Sequence, residues 1–104
     1  MFKLNPTVEF ERTVNVMFPG EKKQQRGSFI VVFKLVDADE RQRLFEEGGT
    51  RAVLETIVVD VKELEVPDGF EPREVALNSQ PCRGAILHKY NEEIAGVEQK
   101  NSRF

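Results

Sequence analysis

Apolar and polar side chains alternate along the first part of the chain. Between Val8 and Phe18 an apolar residue stands at every second position except Arg12. A period of two places these apolar side chains on one face of an extended strand. The pattern therefore predicts a strand with one buried face.

A second apolar stretch, SFIVVFKLV, follows a polar connection. Pro19-Gly20 ends the first pattern, as these residue types commonly do at turns, and EKKQQRG then leads into the second stretch. One face of that stretch carries Phe29, Val31, Phe33 and Leu35. Ile30 and Val32 make its other face apolar as well, so we expect both faces to be covered. Residues 1–36 are predicted to form an antiparallel β-hairpin.

Residues 37–65 show helical patterns. Asp37 with Glu40 three positions later resembles a capping box, which starts a helix, and Gly48-Gly49 ends that helix. The apolar residues that follow lie on one arc of a second helix: Val53, Leu54, Ile57, Val58, Val61 and Leu64. The run IVVDV also favours a strand, so an extended conformation stays open toward the end of this part. We predict a helical middle here.

The last third contains a connector and a well-marked amphipathic helix. Turn-forming residues fill 66–73, from which Phe70 is predicted to pack back into the core. Helices are predicted over 74–98, and the final one carries apolar residues at spacings of three and four: Cys82, Ile86, Tyr90, Ile94 and Val97. Residues 99–104 lack this pattern and are predicted to form a flexible tail.

Together these elements predict one domain of the α+β class. In this prediction an N-terminal antiparallel β-hairpin or small sheet packs against three to four α-helices. A length of 104 residues suits a single hydrophobic core. With 39% hydrophobic and 32% charged residues, the chain resembles ordered globular proteins with a strongly solvated surface.

Charge and cysteine content narrow the classes of partner. Fifteen basic and eighteen acidic side chains give a formal charge of −3, and the basic residues are dispersed, so nucleic acid is not expected as a ligand. No apolar run approaches the length that spans a bilayer, and no secretion signal is visible. Cys82 is the only cysteine and cannot form a disulfide within the chain. A cytoplasmic protein without membrane contact is expected.

The sequence offers little for catalysis or ion binding. The single histidine, His88, follows Cys82 by six positions on one helix, where the two side chains point in different directions. Metal sites need several ligands at set spacings, which are missing, and Gly48-Gly49-Thr50 lacks the lysine of a phosphate loop. We therefore predict no catalytic, cofactor-binding or metal-binding residue, and no enzyme.

An interaction surface is the remaining functional signal. The two-faced strand and the apolar stripe of the last helix could each form core or contact a partner, since the two uses share one composition. Six residues are the candidates for contact with a partner or with a second copy: Phe29, Ile30, Val32, Tyr90, Ile94 and Val97. Core packing explains the same residues equally well, and both interpretations stay open.

Three segments resemble the tail assembly chaperones of long-tailed bacteriophages and prophages. They are the opening MFKLNPTVEFERTVNVMFPG, the strand FIVVFK and the ending CRGAILHKYNEEIAGVEQKN, and their order along the chain carries the resemblance. The resemblance implies a protein of the bacterial host cytoplasm that binds the tape measure protein, keeps it soluble and helps to recruit tail tube subunits. Self-association into a homo-oligomer is a further expectation, and no chemistry is required.

Two other classes of protein are compatible with the same sequence. A structural tail completion or head-tail joining protein, retained in the virion, would also be small, acidic and without catalytic residues. A small regulatory or nucleic-acid-binding protein would instead use Lys22, Lys23 and Arg26 of the hairpin loop.

Overall fold

The computed structural model of the chain describes residues 9–19 and 24–101. Along the chain the elements are β1 (Glu9–Pro19), β2 (Gln24–Lys34), α1 (Ala38–Ile57), β3 (Val58–Lys62), α2 (Pro72–Asn78) and α3 (Gln80–Asn101). The predicted α+β class, with an antiparallel sheet toward the N-terminus, is confirmed. The residues predicted to form the hairpin tip lie partly outside the described ranges.

The sheet has three antiparallel strands with β2 in the middle. β1 and β2 pair residue by residue, from Glu9 opposite Lys34 to Pro19 opposite Gln24, without a bulge. Residues 24–27, which the sequence predicts as connection, belong to β2 because the long first strand offers each of them a partner. β2 ends at Lys34, so Leu35 does not continue the buried face and is exposed.

β3 corrects the predicted helical middle, because Val58–Lys62 is a strand. Ile30 lies opposite Lys62 and Val32 opposite Asp60, with an irregularity in the register between Val32 and Phe33. Valine-rich runs suit a pleated surface, and β2 presents an open edge to this one. Residues 58–62 therefore form a strand where a helix is predicted because they pair with β2.

Arg73 of α2 supports the helix end that precedes β3. Its Nη2 donates to the Glu55 carbonyl at 2.8 Å and its Nε to the Val58 carbonyl at 3.1 Å. Carbonyls at a helix C-terminus have no partner within the helix. The guanidinium thus supplies the missing hydrogen-bond donors and connects α1, β3 and α2 at one point.

α1 consists of two helical segments joined at a kink. Gly49 has φ 72° and ψ −164°, a backbone conformation that side chains of L-residues rarely allow. Asp37 caps the first segment by accepting a hydrogen bond from the Glu40 N–H at 2.9 Å, as predicted. The break predicted at Gly48-Gly49 is thus present inside one continuous element.

The core lies between one face of the sheet and the helices. Of the predicted inner faces, Val14 and Val16 of β1 and Phe29, Val31 and Phe33 of β2 are buried. Four residues of α3 are buried as well: Cys82, Ile86, Tyr90 and Ile94. The rings of Phe10, Phe33 and Tyr90 form an aromatic group with centroid distances of 5.3 to 6.1 Å. The amphipathic pattern of the last helix is confirmed for these residues.

The outer face of the sheet is mostly polar, but it also carries Val32, which is buried, and Ile30, which is half-buried. Val32 is only 8% exposed there, although the neighbouring β1 residues on this face are exposed. The ion pair between Lys62 Nζ and Glu11 Oε1, 2.6 Å apart, crosses β2 diagonally beside Val32, given the strand register. Long side chains therefore cover this valine where the sequence suggests a packed second face.

The burial predicted for Phe70 is wrong, and the last helix ends later than predicted. Phe70 is 63% exposed, because the turn formed when its N–H bonds to the Pro67 carbonyl directs the ring to solvent. α3 continues to Asn101, so the predicted tail over residues 99–104 begins inside the helix. Residues 102–104 lie outside the described ranges.

Candidate functional site

The structure places most of the six predicted contact residues inside the molecule. Phe29, Val32, Tyr90 and Ile94 are buried, and Ile30 is half-buried on the outer face of β2. The side chain of Val97 lies outside the described part of the chain. Phe29, Tyr90 and Ile94 act as core side chains in this fold, whereas Val32 is covered on the outer face of the sheet. Partner contact through any of the six stays a prediction.

A groove of about 330 Å³ between α1 and α3 is the best candidate for a binding site. Its floor is apolar and consists of Val53, Leu87 and the ring of Tyr90. Exposed side chains surround the floor, with Phe45 as the aromatic member of the rim. An apolar floor with a partly polar rim is found in small-molecule sites and at the centres of protein–protein contacts.

Tyr90 fixes the floor of the groove. Its hydroxyl accepts a hydrogen bond from the Val36 N–H at 3.0 Å and lies 3.2 Å from the Lys34 carbonyl, to which it can donate. Burial raises the pKa of Tyr90 above its ordinary value of 10.0, so the hydroxyl stays protonated and able to donate. The ring is thereby held in one position against the end of β2.

Arg41 forms one wall of the groove. Its Nε donates to the Val36 carbonyl at 3.2 Å, and its guanidinium carbon lies 5.8 Å from the centroid of the Tyr90 ring. A guanidinium over an aromatic face is attracted by the electrons of the ring. The wall and the floor of the groove are therefore both hydrogen-bonded to the backbone of Val36, which follows β2, through Arg41 and Tyr90.

Phe45 is the exposed aromatic residue of the rim, with 53% of its surface accessible. It lies on the first segment of α1, whose neighbouring residue Leu44 is half-buried and packs against the core. Successive helical positions differ by about 100° in direction, so a core-facing Leu44 turns Phe45 toward the groove. Nothing in the sequence distinguishes the exposed Phe45 from the half-buried Leu44 beside it.

The charged side of the same segment faces away from the core. Arg43 pairs with Glu40 and, at 2.9 Å, with Glu47, and both carboxylates raise the pKa of the guanidinium. These three side chains are largely exposed. Helical ion pairs at these spacings add little stability but keep the surface well hydrated. Phe45 is therefore an apolar residue on a strongly charged helix.

The candidate reactive residues are not brought together. Cys82 is buried, whereas His88 is exposed on the same helix with its Nε2 2.8 Å from Glu92 Oε1. Among residues 9–19 and 24–101, no group of three His, Cys, Asp or Glu side chains is arranged to hold a metal ion. We assign the groove no reaction.

The chain matches no family model, no curated protein and no solved structure. Within the part of the chain that the structure describes, no helix combines the length and the apolar character needed to cross a membrane. The geometry of the groove and the order of the sequence motifs are therefore the basis for a functional proposal.

Proposed function

We propose that this protein is a phage or prophage tail assembly chaperone that binds an apolar helical segment of the tape measure protein in the groove between α1 and α3. The groove, with Phe45 exposed at its rim, is the observation that carries the proposal. The order of the MFKLNP, FIVVFK and C-terminal helix motifs supplies the class of client. Location in the host cytoplasm and recruitment of tail tube subunits belong to the same proposal.

The apolar floor and the two flanking helices of the groove are the features that favour an amphipathic helix as the ligand. Such a helix presents apolar side chains at spacings of three and four, which can enter a groove between two other helices. Leu87 and Tyr90 of the floor are fixed in α3, and Phe45 projects from the opposite helix. Exposed aromatic residues commonly contribute much of the binding energy at such contacts. Phe45 is therefore the residue whose loss should weaken binding most.

The charged surface explains how binding would keep a client soluble. The chain has a formal charge of −3 and 32% charged residues, and the exposed side of the first α1 segment carries Arg43 and its two glutamates. A bound copy covers an apolar stripe of the client and replaces it with this charged surface. Several copies along one long client could act together even if each binds weakly.

Co-expression tests the proposal directly. The tape measure protein from the same locus is produced with wild-type protein, with Phe45→Glu, or with Phe70→Glu as a matched control. Phe70 is a similarly exposed phenylalanine that does not line the groove. We expect wild type and the control to keep the tape measure protein soluble in a complex, and Phe45→Glu to fail.

The outcomes distinguish a wrong function from a wrong binding site. If wild type forms no complex and the tape measure protein stays insoluble, the chaperone function is wrong. If Phe45→Glu solubilises the client as well as the control does, the groove is not the binding site. Detection of the chain in purified, finished particles would instead favour a retained tail completion or head-tail joining protein.

A further inference from the structure

β1 is a long strand at the edge of the sheet. It has eleven residues and pairs with β2 along its whole length, and no other strand of the described residues lies on its far side. A strand edge with unused backbone groups can accept another strand. The direction of each backbone group determines where along β1 this can happen.

Two contacts establish which backbone groups of β1 point away from β2. The Val61 N–H bonds to Asp60 Oδ1, which indicates that the backbone N–H and C=O of Val61 point away from β2. The backbone groups of Val31, its partner on β2, therefore point toward β1. The backbone groups of Arg12, which lies opposite Val31, therefore bond to β2. Those of Glu11, the neighbouring residue, point outward, away from β2. The Glu11 carbonyl is indeed free to accept from Arg12 Nη1 at 2.7 Å. Because this direction alternates along a strand, the backbone groups of Thr13, Asn15 and Met17 also point away from β2.

The two halves of this edge differ in charge. Glu9, Glu11 and Arg12 lie in the first half, where Arg12 also forms an ion pair with Glu93 at 3.0 Å. Charged side chains at an edge discourage the addition of another strand. The stretch Thr13–Met17 has no charged residue, no proline and no bulge. Only this second half is open to pairing.

We propose that two copies of the chain pair through Thr13–Met17 of β1, antiparallel about a twofold axis at Asn15. In this register Asn15 lies opposite its own copy, Thr13 opposite Met17, and Val14 opposite Val16. Each outward residue then exchanges backbone hydrogen bonds with the residue opposite, and no like charges meet. A twofold axis at Thr13 would instead need the Glu11 carbonyl for a hydrogen bond to the second copy, and this carbonyl already accepts a hydrogen bond from the Arg12 side chain. This pairing does not depend on the proposed chaperone function.

Sedimentation velocity over a range of concentrations tests the pairing with the full chain. Asn15→Lys places two like charges at the twofold axis, and Ser28→Lys is the matched control. Ser28 lies opposite Asn15 on the central strand, so it receives the same charge on the same face away from the edge. We expect wild type and Ser28→Lys to dimerise alike, and Asn15→Lys to raise the dimer dissociation constant about tenfold or more.

Cysteine crosslinking tests the register independently of any loss of stability. Asn15→Cys puts the two thiols on opposite residues of an antiparallel pair, at a separation that a disulfide can bridge. Mild oxidation should link Asn15→Cys into a covalent dimer and leave Ser28→Cys monomeric, because the native Cys82 is buried. A monomeric wild type at every concentration, or equal crosslinking of both cysteine variants, would overturn the proposal.

Discussion

The hydroxyl of Tyr90 on α3 accepts a hydrogen bond from the backbone N–H of Val36, which lies 54 positions earlier in the sequence, at 3.0 Å. The bond is buried and connects the last helix to the segment that follows the central strand. Because the Tyr90 ring also forms the floor of the groove, the same contact supports both the fold and the candidate site.

Replacement of Tyr90 by phenylalanine should destabilise the fold without opening a large cavity. The Val36 N–H loses its buried acceptor, and a buried donor left unpaired costs about 1 to 3 kcal/mol. Urea unfolding measures this loss. Phe70→Leu is the control, because that side chain is exposed and its replacement should change the free energy of unfolding by no more than about 0.5 kcal/mol. An unchanged stability for Tyr90→Phe would contradict the role given to the hydroxyl.

The ionisation of the tyrosine should reflect its burial. Tyr90 is the only tyrosine, and the chain has no tryptophan, so ultraviolet absorbance follows this one group. Burial raises its pKa above 10.0 in the folded protein, and the folded state therefore loses stability as the pH rises from that value through the folded pKa. Tyr90→Phe should remove this part of the alkaline loss. A tyrosine that titrates equally in native buffer and in urea would refute the prediction.

Gly49 and Gly84 should respond to alanine in opposite directions. Gly49 has a positive φ, so a side chain there is strained, and Gly49→Ala should destabilise by about 1 to 3 kcal/mol. Gly84 lies in α3 with open space around it, and Gly84→Ala should stabilise by about 0.5 to 1 kcal/mol through helix propensity. Thermal or urea unfolding compares the two. Equal effects would show that the kink in α1 is not fixed by Gly49.

Arg73 should matter more for stability than an equally charged exposed residue. Arg73→Met removes two hydrogen bonds to backbone carbonyls at the junction of α1, β3 and α2, and should cost about 2 kcal/mol. Arg43→Met removes exposed helical ion pairs, which water and salt screen, and should lower the stability by clearly less than Arg73→Met does. The difference in urea midpoint between the variants measures this. Similar midpoints would argue against Arg73 as the support of the junction.

Local patterns predicted those parts of the fold that local interactions determine. The alternation in β1 and the spacing of apolar residues in α3 each identify a buried face, and the glycine pair marks the kink in α1. β3 could not be assigned with the same certainty, because the run IVVDV fits either a helix or a strand until β2 offers it a partner. Neighbouring elements decided the outcome there.

The candidate site was harder to predict because it depends on two separated helices. Phe45 and Phe70 are both followed by a glutamate, and nothing in the sequence beside either ring shows that it is exposed. The groove exists only once α1 has bent at Gly49 and α3 has placed Leu87 and Tyr90 opposite it. Sequence periodicity indicated an apolar stripe on α3 and gave no information about what lies across from it.

Nuclear magnetic resonance of the labelled chain, titrated with apolar helical segments of the tape measure protein, tests the groove most directly. Binding in the groove should shift the amide signals of Phe45, Leu87 and Asn91, while those of Thr13 and Ser28 on the outer face of the sheet should not shift. Phe45→Glu should abolish the shifts and Phe70→Glu should retain them. Shifts confined to the outer face, or shifts unaffected by Phe45→Glu, would show that the groove is not the binding site.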